Sequence, residues 1–302
     1  MQNTSLIEKC RDLADTIGID AIGFAEAAAF RDYAWQKFKR RDPRLSLPDA
    51  KTIIVAGIYI GGLRLPVWQK SSYGRTSRLY LSGYFLDVVK PLQSMADLLK
   101  NEGYQAIVCD GSSEEGSILP LKLAAVRAGL GWQGKHSLLI SKQFGTFLAL
   151  GGIITDADIE PNTQSEPDRC RDCDKCQQAC PLGALDQSHV LNMKRCMSYS
   201  LQTENLPEKV PAVMENRVAD CEICQEACPW NAKHIKKPLM TPLTTGFQKE
   251  MEAWENFFYL PNLINLTESE YKSRLGHLNA DIPYKLFRRN VLIAGQRASK
   301  LQ

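Results

Sequence analysis

The stretch "CRDCDKCQQACP", residues 170–181, places four cysteines at the spacing C-x2-C-x2-C-x3-C and follows the last with a proline. Bacterial ferredoxins use this spacing to bind cubane iron–sulfur clusters, in which three thiolates bind one cluster and the fourth binds another. A shorter copy, "CEICQEACP" at residues 221–229, repeats the second half of the pattern. The sequence therefore predicts a ferredoxin-like domain with two [4Fe-4S] clusters.

Each cluster can be assigned four cysteines. The shorter copy lacks one ligand, and Cys196 in "MKRCMSY" is the nearby cysteine left to supply it. When the fourth ligand of each motif crosses to the other cluster, one set is Cys170, Cys173, Cys176 and Cys228, and the other is Cys180, Cys196, Cys221 and Cys224. Zinc knuckles also use C-x2-C pairs, but they need neither the third cysteine nor the repeated proline. Iron–sulfur clusters are the favoured prediction.

Composition and charge narrow the class of protein. The 302 residues are 44% hydrophobic and 24% charged, which is ordinary for a soluble globular protein. A net charge of +3 is too small to indicate a nucleic-acid partner by itself. There is no apolar run of about eighteen residues, as a membrane helix would need, and no signal-peptide pattern at the N-terminus. We expect a cytoplasmic protein with no membrane contact.

The residues before Cys170 alternate between helix-like and strand-like segments. The predicted strands are "KTIIVAGIYI" (51–60), "YQAIVCD" (104–110), "HSLLIS" (136–141) and "FLALGGIITD" (147–156). The predicted helices are an amphipathic N-terminal segment, one that begins near Ser82 and continues through residue 103, and "LPLKLAAVRAG" (119–129), closed by Gly129. We predict an α+β protein with an α/β domain over residues 1–158, the cluster domain over 159–240 and a C-terminal helical extension over 241–302.

The glycine-rich stretch "RAGLGWQGKHSLLIS", residues 127–141, contains G-x-G-x-x-G and most of a P-loop pattern. Both nucleotide motifs require a strand before the glycines and a helix after them, since the helix N-terminus binds the phosphate. Here a predicted helix precedes the glycines and a strand follows them. The pattern instead indicates a helix end at Gly129 and a backbone that passes close to a large flat ligand.

Several of these motifs together resemble the epoxyqueuosine reductase family, which comprises corrinoid-dependent iron–sulfur enzymes related to reductive dehalogenases. The resemblance is carried by "RRDPRLSLPDAKTIIVAG", "RAGLGWQGKHSLLIS", the two cysteine motifs, "CPWN" and "FRRNVLIAG". It runs from about residue 5 to residue 298. The chain resembles a short form of the family, without the C-terminal helical-repeat tail that many members have.

The resemblance implies a cobalamin-binding, nitroreductase-like N-terminal domain, with the cobamide between it and the cluster domain. The clusters would pass electrons from an external low-potential donor, such as ferredoxin or flavodoxin, to cobalt, which attacks the epoxide of a modified base in a tRNA anticodon loop. By position, the resemblance implies a set of cobamide-binding residues: Gly134, Lys135, Leu139, Ile140, Ser141, Gly151 and Thr203.

The family also uses an aspartate as proton donor, just after a strand and about a dozen residues before the "RAG" motif. Glu115 lies at that separation, whereas Asp110 lies at the end of the predicted strand "YQAIVCD". Either carboxyl group could protonate the epoxide oxygen if burial raised its pKa toward neutral. His136 stands where the family usually has asparagine.

Three functions remain open at this point. The first is a cobamide-dependent epoxyqueuosine reductase, the second a related corrinoid reductase of a small molecule such as an organohalide, and the third an electron-transfer protein for a partner's corrinoid. An acid at Asp110 or Glu115 would separate the enzymes from the electron carrier. The basic segments "KFKRRDPR" (37–44), "KHIKK" (233–237) and "KLFRRN" (285–290) are candidates for contact with tRNA phosphates.

Overall fold

A computed structural model of the chain describes residues 5–31, 42–85, 89–109, 119–161, 166–275 and 282–300. The candidate acids Asp110 and Glu115, and residues 37–41 of the first basic segment, lie outside these ranges. In the described ranges, no helix combines the length and the apolar character that crossing a membrane requires.

The helices and strands have the following bounds. The α-helices are α1 (Leu6–Thr16), α2 (Arg78–Phe85), α3 (Val89–Asn101), α4 (Leu121–Arg127), α5 (Lys175–Ala179), α6 (Met197–Leu201), α7 (Val210–Val213), α8 (Ile223–Glu226), α9 (Ala232–Lys236), α10 (Pro242–Phe258), α11 (Leu260–Ile264), α12 (Glu268–Arg274) and α13 (Tyr284–Lys300). The strands are β1 (Ala21–Glu26), β2 (Thr52–Tyr59), β3 (Ala106–Cys109), β4 (Trp132–Gln133), β5 (Leu139–Ile140) and β6 (Leu148–Thr155).

Four of these strands form one sheet in the order β1-β2-β6-β3, and every neighbouring pair is antiparallel. Strand β2 lies inside the sheet and is buried along its whole length. Because successive side chains of a strand point to opposite faces, Ile54 and Ala56 pack on one face, whereas Ile53 and Val55 pack on the other. Both faces of the sheet therefore have to be covered.

Helices cover the two faces. Cys10 and Ala14 of α1 and Leu92 of α3 are buried in the same apolar cluster as Ile54. On the opposite face, Ala124 of α4 belongs to the cluster that contains Ile53. The predicted α+β class is confirmed as a mixed helix and sheet structure, in which the sheet is antiparallel.

Two helix ends test the local predictions. Helix α4 ends as predicted, because Gly129 takes a left-handed backbone with φ 76° and the Leu130 N–H donates to the Ala125 carbonyl at 3.0 Å. The prediction of a helix start near Ser82 is wrong. Helix α2 begins at Arg78, and the Ser77 hydroxyl accepts the Tyr80 N–H at 3.0 Å, which is the bond that an N-cap residue makes.

The chain divides into two compact units. The first comprises Met1–Tyr59, Asp87–Gly134 and Leu138–Arg171, and the second comprises Ile60–Leu86, Lys135–Ser137 and Asp172–Gln302. The domains predicted from the sequence, with boundaries after residues 158 and 240, are each continuous in the chain. Each of the two units instead consists of three separate segments. The second unit includes both cysteine motifs after residue 171 and helices α5 to α13.

Candidate functional site

The two cysteine motifs adopt the same local structure. Asp174 before α5 has φ −126° and ψ 12°, and Glu222 before α8 has φ −130° and ψ 23°. At the other end, Cys180 has φ −72° and ψ 109°, Cys228 has φ −72° and ψ 123°, and each is followed by a proline. Helices α5 and α8 pack against each other. The repeat that is visible in the sequence is therefore also a repeat of backbone conformation.

Five cysteines of the second unit lie together. The Cys224 thiol interacts electrostatically with those of Cys221, Cys196, Cys180 and Cys176, and Cys196 in turn interacts with Cys180. Burial raises the pKa of Cys221 to about 12 and holds the pKa of Cys224 well above its usual value. Four of these five are the residues that the sequence assigns to the second cluster, and Cys176 is assigned to the first.

Closely spaced thiols fit a cluster site chemically. Iron binds thiolates, so the positive charge of the metal would offset the cost of ionising thiols whose pKa is raised by burial. All eight clustered cysteines are among the described residues, and within those residues no three Cys, His, Asp or Glu side chains are placed to hold a single metal ion.

The cysteines assigned to the first cluster are divided between the units. Cys170 belongs to the end of the first unit, where its N–H donates to an Asp168 carboxylate oxygen at 2.8 Å. Cys173, Cys176 and Cys228 belong to the second unit, and Cys176 and Cys228 are buried there. Their assignment to one cluster remains a prediction from the sequence.

A buried ion pair lies next to the shorter cysteine motif. Arg78 and Glu222 expose 1% and 2% of their surface, and the guanidinium of Arg78 is paired with the Glu222 carboxylate. The Arg78 N–H donates to the same carboxylate at 3.0 Å, and Arg78 Nε donates to the Gly61 carbonyl at 3.0 Å. Glu222 stands between two clustered cysteines, so this pair attaches residues 60–86 to the motif.

Two further polar contacts extend the attachment. Arg75 is paired with Glu226, and the Ser77 hydroxyl donates to the Asp220 carboxylate. The other oxygen of Asp220 accepts the Cys221 N–H at 2.7 Å. This network is not predicted from the sequence, although the signal is present as the basic run "RTSR" (75–78) and the acidic residues within "DCEICQE" (220–226).

The Arg78–Glu222 pair gives a first prediction. Arg78→Met should lower the free energy of unfolding by about 3–5 kcal/mol, because it leaves the buried Glu222 carboxylate without its counter-charge. Denaturant unfolding would measure the change. Arg44→Met is the control, since the pair of Arg44 with Asp42 is partly exposed and should contribute no more than about 1 kcal/mol. Equal effects of the two substitutions would show that the buried pair has no special role.

Most residues of the predicted cobamide set belong to the first unit. Leu139 and Ile140 form β5 and are buried, with Leu139 inside the core cluster beside α4. Ser141 forms a backbone bridge with Gly145. A Cβ atom on Gly151 would lie 2.4 Å from a methyl carbon of Leu92. The packing of α3 on the sheet is therefore sufficient to explain that glycine.

The glycine-rich stretch forms a short hairpin. The Gly134 N–H donates to the Leu138 carbonyl at 2.8 Å, between the paired strands β4 and β5. A Cβ on Gly131 would lie 2.0 Å from the Ile140 carbonyl oxygen, so close approach of the two strands requires this glycine. The glycines thus serve a helix end and a hairpin. As predicted, helix α4 comes before the glycines and strand β5 after them, which is the reverse of the order in a nucleotide-binding motif.

Ser137, next to Lys135 and His136 in this stretch, has two unusual features. It has a left-handed backbone, with φ 66°, which is uncommon for residues other than glycine. It is 5% exposed, and its hydroxyl finds no hydrogen-bond partner in the part of the chain that the structure describes. Backbone strain and an unsatisfied buried hydroxyl both cluster at ligand sites. The sequence analysis missed Ser137, because neither feature leaves a pattern in the sequence.

Thr203 follows α6 and is half-buried, with its hydroxyl donating to the Asn205 carbonyl at 3.4 Å. The candidate phosphate-binding segments differ from one another in exposure. In 233–237 the three lysines are exposed, whereas in 285–290 only Lys285 and Arg288 are exposed. Lys285 pairs loosely with Glu204 at 3.4 Å.

Comparison with known proteins defines the class first. A profile of the 4Fe-4S double cluster binding domain matches residues 169–231, the segment that contains both cysteine motifs. The chain is therefore an iron–sulfur protein with a 4Fe-4S binding domain.

Relatives then give the family. The epoxyqueuosine reductase of Bacillus cereus is 30% identical over 273 residues, which cover 76% of this chain and 69% of the relative. That of Lactococcus garvieae is 30% identical over 302 residues, covering 91% and 81%. The chain belongs to the epoxyqueuosine reductase family and is an oxidoreductase.

Solved structures agree with this assignment. An epoxyqueuosine reductase bound to an epoxyqueuosine-modified tRNA-Tyr stem loop is 25% identical, with a TM-score of 0.80 over 97% of this chain and 81% of that chain. The Bacillus subtilis enzyme, solved with its aspartate-containing catalytic loop swung out of the active site, is 26% identical. Its TM-score is 0.79 over 97% of this chain and 82% of that chain. A catabolic reductive dehalogenase is 17% identical with a TM-score of 0.54, covering 94% and 37%, and shares the fold alone.

Proposed function

We propose that this protein reduces epoxyqueuosine to queuosine in tRNA, with electrons passing through two [4Fe-4S] clusters to a bound cobamide. The observation that carries the proposal is the match over 97% of the chain, at a TM-score of 0.80, to an epoxyqueuosine reductase that holds a modified tRNA stem loop. The 30% identity to epoxyqueuosine reductases over most of the chain supports the same function.

The net reaction removes the epoxide oxygen as water and leaves a carbon–carbon double bond, so it consumes two electrons and two protons. A bound cobamide would supply a reduced cobalt nucleophile for the epoxide carbon. The chain itself then has to bind the clusters, hold the cofactor and deliver a proton to the departing oxygen. An external low-potential protein such as ferredoxin or flavodoxin would provide the electrons.

The cluster ligands would be the two sets assigned from the sequence. The proximity of Cys180, Cys196 and Cys221 to Cys224 supports the second set, and Cys176 of the first set lies near the same thiol. The equivalent backbone of the two motifs supports binding of the same kind of cluster by each. Crossing of the fourth ligand would keep the clusters near each other, which favours fast electron transfer between them.

The cobamide would contact the hairpin turn and the segment after α6. Within the turn, the Ser137 hydroxyl, which has no partner among the described residues, and its left-handed backbone fit a bound ligand. Gly134, Lys135, Leu139, Ile140 and Ser141 lie in the same hairpin, Gly151 lies in β6, and Thr203 follows α6. Ser137 is an addition to the residues that the sequence resemblance implies.

The proton would come from Asp110 or Glu115. Asp110 is the stronger candidate because it directly follows β3 in the sequence, as the family's aspartate follows a strand. The catalytic loop of the Bacillus subtilis enzyme is named for an aspartate, and this supports an aspartate in the same role here. The tRNA would be held partly by the exposed lysines of residues 233–237 and by Arg288.

Ser137 gives a second prediction. Ser137→Ala should weaken cobalamin binding by about tenfold, the equivalent of one lost hydrogen bond of about 1.4 kcal/mol. The protein without cofactor should be no less stable, because the substitution removes a buried hydroxyl that has no hydrogen-bond partner within the described ranges. Titration of cobalamin by absorption and thermal unfolding would measure the two effects.

Ser82→Ala is the matched control for Ser137→Ala. The Ser82 hydroxyl is also buried, but it donates to the Leu79 carbonyl at 2.6 Å, so its removal should lower stability and leave cobalamin binding unchanged. Unchanged cobalamin affinity in Ser137→Ala would remove this residue from the cofactor site.

A comparison of substrates tests the proposed function. The anaerobically reconstituted protein would be supplied with cobalamin and a low-potential reductant, and offered either an epoxyqueuosine-modified stem loop or a brominated phenol. Turnover of the stem loop alone is expected. Debromination without turnover of the stem loop would favour the small-molecule reductase, and reduction of cobalamin without turnover of either substrate would favour the electron carrier.

A further inference from the structure

Helix α13 contains two arginines that donate to main-chain carbonyls of other segments. Arg289 donates to the segment that follows α6, and Arg297 donates to the carbonyls of Pro211 and Ala212 at 2.7 and 2.6 Å. The two arginines hold different segments: Arg289 contacts carbonyls within residues 200–204, which follow the candidate cluster ligand Cys196 and include the candidate cobamide residue Thr203. The Arg297 contacts lie in α7.

Arg289 makes an unusually complete set of contacts. Its Nη1 donates to the carbonyls of Thr203 at 2.8 Å and Glu204 at 3.2 Å, and its Nη2 donates to those of Ser200 and Leu201 at 3.3 Å each. The last carbonyls of a helix have no partner within the helix, and a cation at this end interacts favourably with the helix dipole. Arg289 therefore acts as the C-terminal cap of α6.

Asn290 orients this arginine. It is fully buried, and its side-chain oxygen accepts from Nε and Nη2 of Arg289 at 3.1 and 3.0 Å. Its amide nitrogen donates to the carbonyls of Leu201 at 2.9 Å and Val218 at 3.1 Å. Val218 is three positions before Cys221, so one side chain connects the end of α6 to the start of the shorter cysteine motif.

Apolar packing brings the same elements together. Ile293, about one turn after Arg289 in α13, packs against the buried cluster that contains Met197 and Leu201 of α6. Cys221 packs against that cluster as well. Helix α13 thus contacts α6 through both side-chain packing and hydrogen bonds to its terminal carbonyls.

Helix α6 needs this external support. It has five residues, and a helix of this length is not stable by itself. Cys196 is its N-cap residue, without a side-chain capping bond, and Thr203 follows its C-terminal end by two residues. The positions of both residues therefore depend on whatever holds α6.

We propose that Arg289 is a positioning residue, which through the carbonyls of residues 200–204 fixes Cys196 for the second cluster and Thr203 for the cobamide. This inference rests on the proposed function for the roles of Cys196 and Thr203. It also assigns a purpose to the "FRRN" stretch (287–290) other than phosphate contact: the guanidinium of Arg289 serves the protein main chain, and Arg288 alone of the two arginines is exposed.

The test compares Arg289→Met with Arg297→Met, since each removes the arginine contacts of α13 to one segment. Three quantities would be measured in anaerobically reconstituted protein: the melting temperature, the electron paramagnetic resonance spectrum of the reduced clusters, and the dissociation constant for cobalamin. When the two variants lose the same amount of stability, only Arg289→Met should change the signal of one cluster. Arg289→Met should also weaken cobalamin binding at least about tenfold more than Arg297→Met does. Arg289→Lys should be intermediate, because a lysine keeps the charge but lacks the planar fork that reaches several carbonyls.

Identical cluster spectra and identical cobalamin affinities in the Met variants would overturn the proposal and leave Arg289 with a purely structural role. If Arg289→Met does not fold, the same comparison is made between Arg289→Lys and Arg297→Lys. A wild-type protein that binds both clusters but no cobalamin would contradict the proposed function instead, and the cluster signal would then decide the role of Arg289.

Discussion

Cys196→Ala protein, reconstituted without oxygen, is expected to hold about four iron atoms per chain where the wild type holds about eight, and to lose all turnover. Cys196 lies outside both repeated motifs, and its thiol lies with those of Cys180 and Cys224. Removing it would leave the second cluster with three ligands and interrupt the electron path. Iron and sulfide analysis, together with paramagnetic resonance of the reduced protein, would measure the loss.

Cys10→Ala is the matched control for this substitution. Cys10 is fully buried in α1 and belongs to the core beside the sheet, outside both predicted ligand sets. It should keep about eight iron atoms, although the smaller side chain should lower stability. Survival of both clusters in Cys196→Ala would refute the assignment of ligands.

Asp110→Asn is expected to lower the turnover of epoxyqueuosine tRNA by about 100-fold or more, the size of effect that general-acid catalysis contributes. Cobalamin binding and reduction of its cobalt should be unchanged, since neither needs a proton donor at the epoxide oxygen. Single-turnover rates would separate the chemical step from binding.

Glu115→Gln serves as the comparison. It should turn over near the wild-type rate if Asp110 is the acid, and the two results should be exchanged if Glu115 is the acid. Wild-type rates in both single variants and in the double variant would exclude these carboxyl groups from catalysis.

Local patterns in the sequence predicted local structure well. The cysteine spacing predicted two equivalent motifs, and their backbone angles are nearly the same. The apolar runs predicted β2 and β6, which are the two inner strands of the sheet. Strand β1 was not predicted, because "AIGFAE" is rich in alanine and glycine, which are weak strand formers. Its pairing with β2 determines its conformation.

The structural features that were not predicted from the sequence depend on long-range contacts. The Arg78–Glu222 pair joins residues 144 positions apart, and no periodic pattern connects them. The left-handed backbone of Ser137 likewise has no sequence signature. The run "KLFRRN" was interpreted as a candidate for phosphate contact from its charge alone, whereas Arg289 is directed to carbonyl groups of its own chain. Charge patterns identify cations but not their partners.

The most direct test of the central claim is the conversion of an epoxyqueuosine-modified tRNA stem loop by the anaerobic protein, with and without cobalamin. A low-potential reductant would be supplied in excess, and the modified nucleoside would be analysed by mass spectrometry after digestion. The account predicts the loss of one oxygen atom from the nucleoside, giving queuosine, only when cobalamin is present. Unchanged epoxyqueuosine in a reaction in which the clusters and the cobalt are demonstrably reduced would contradict it.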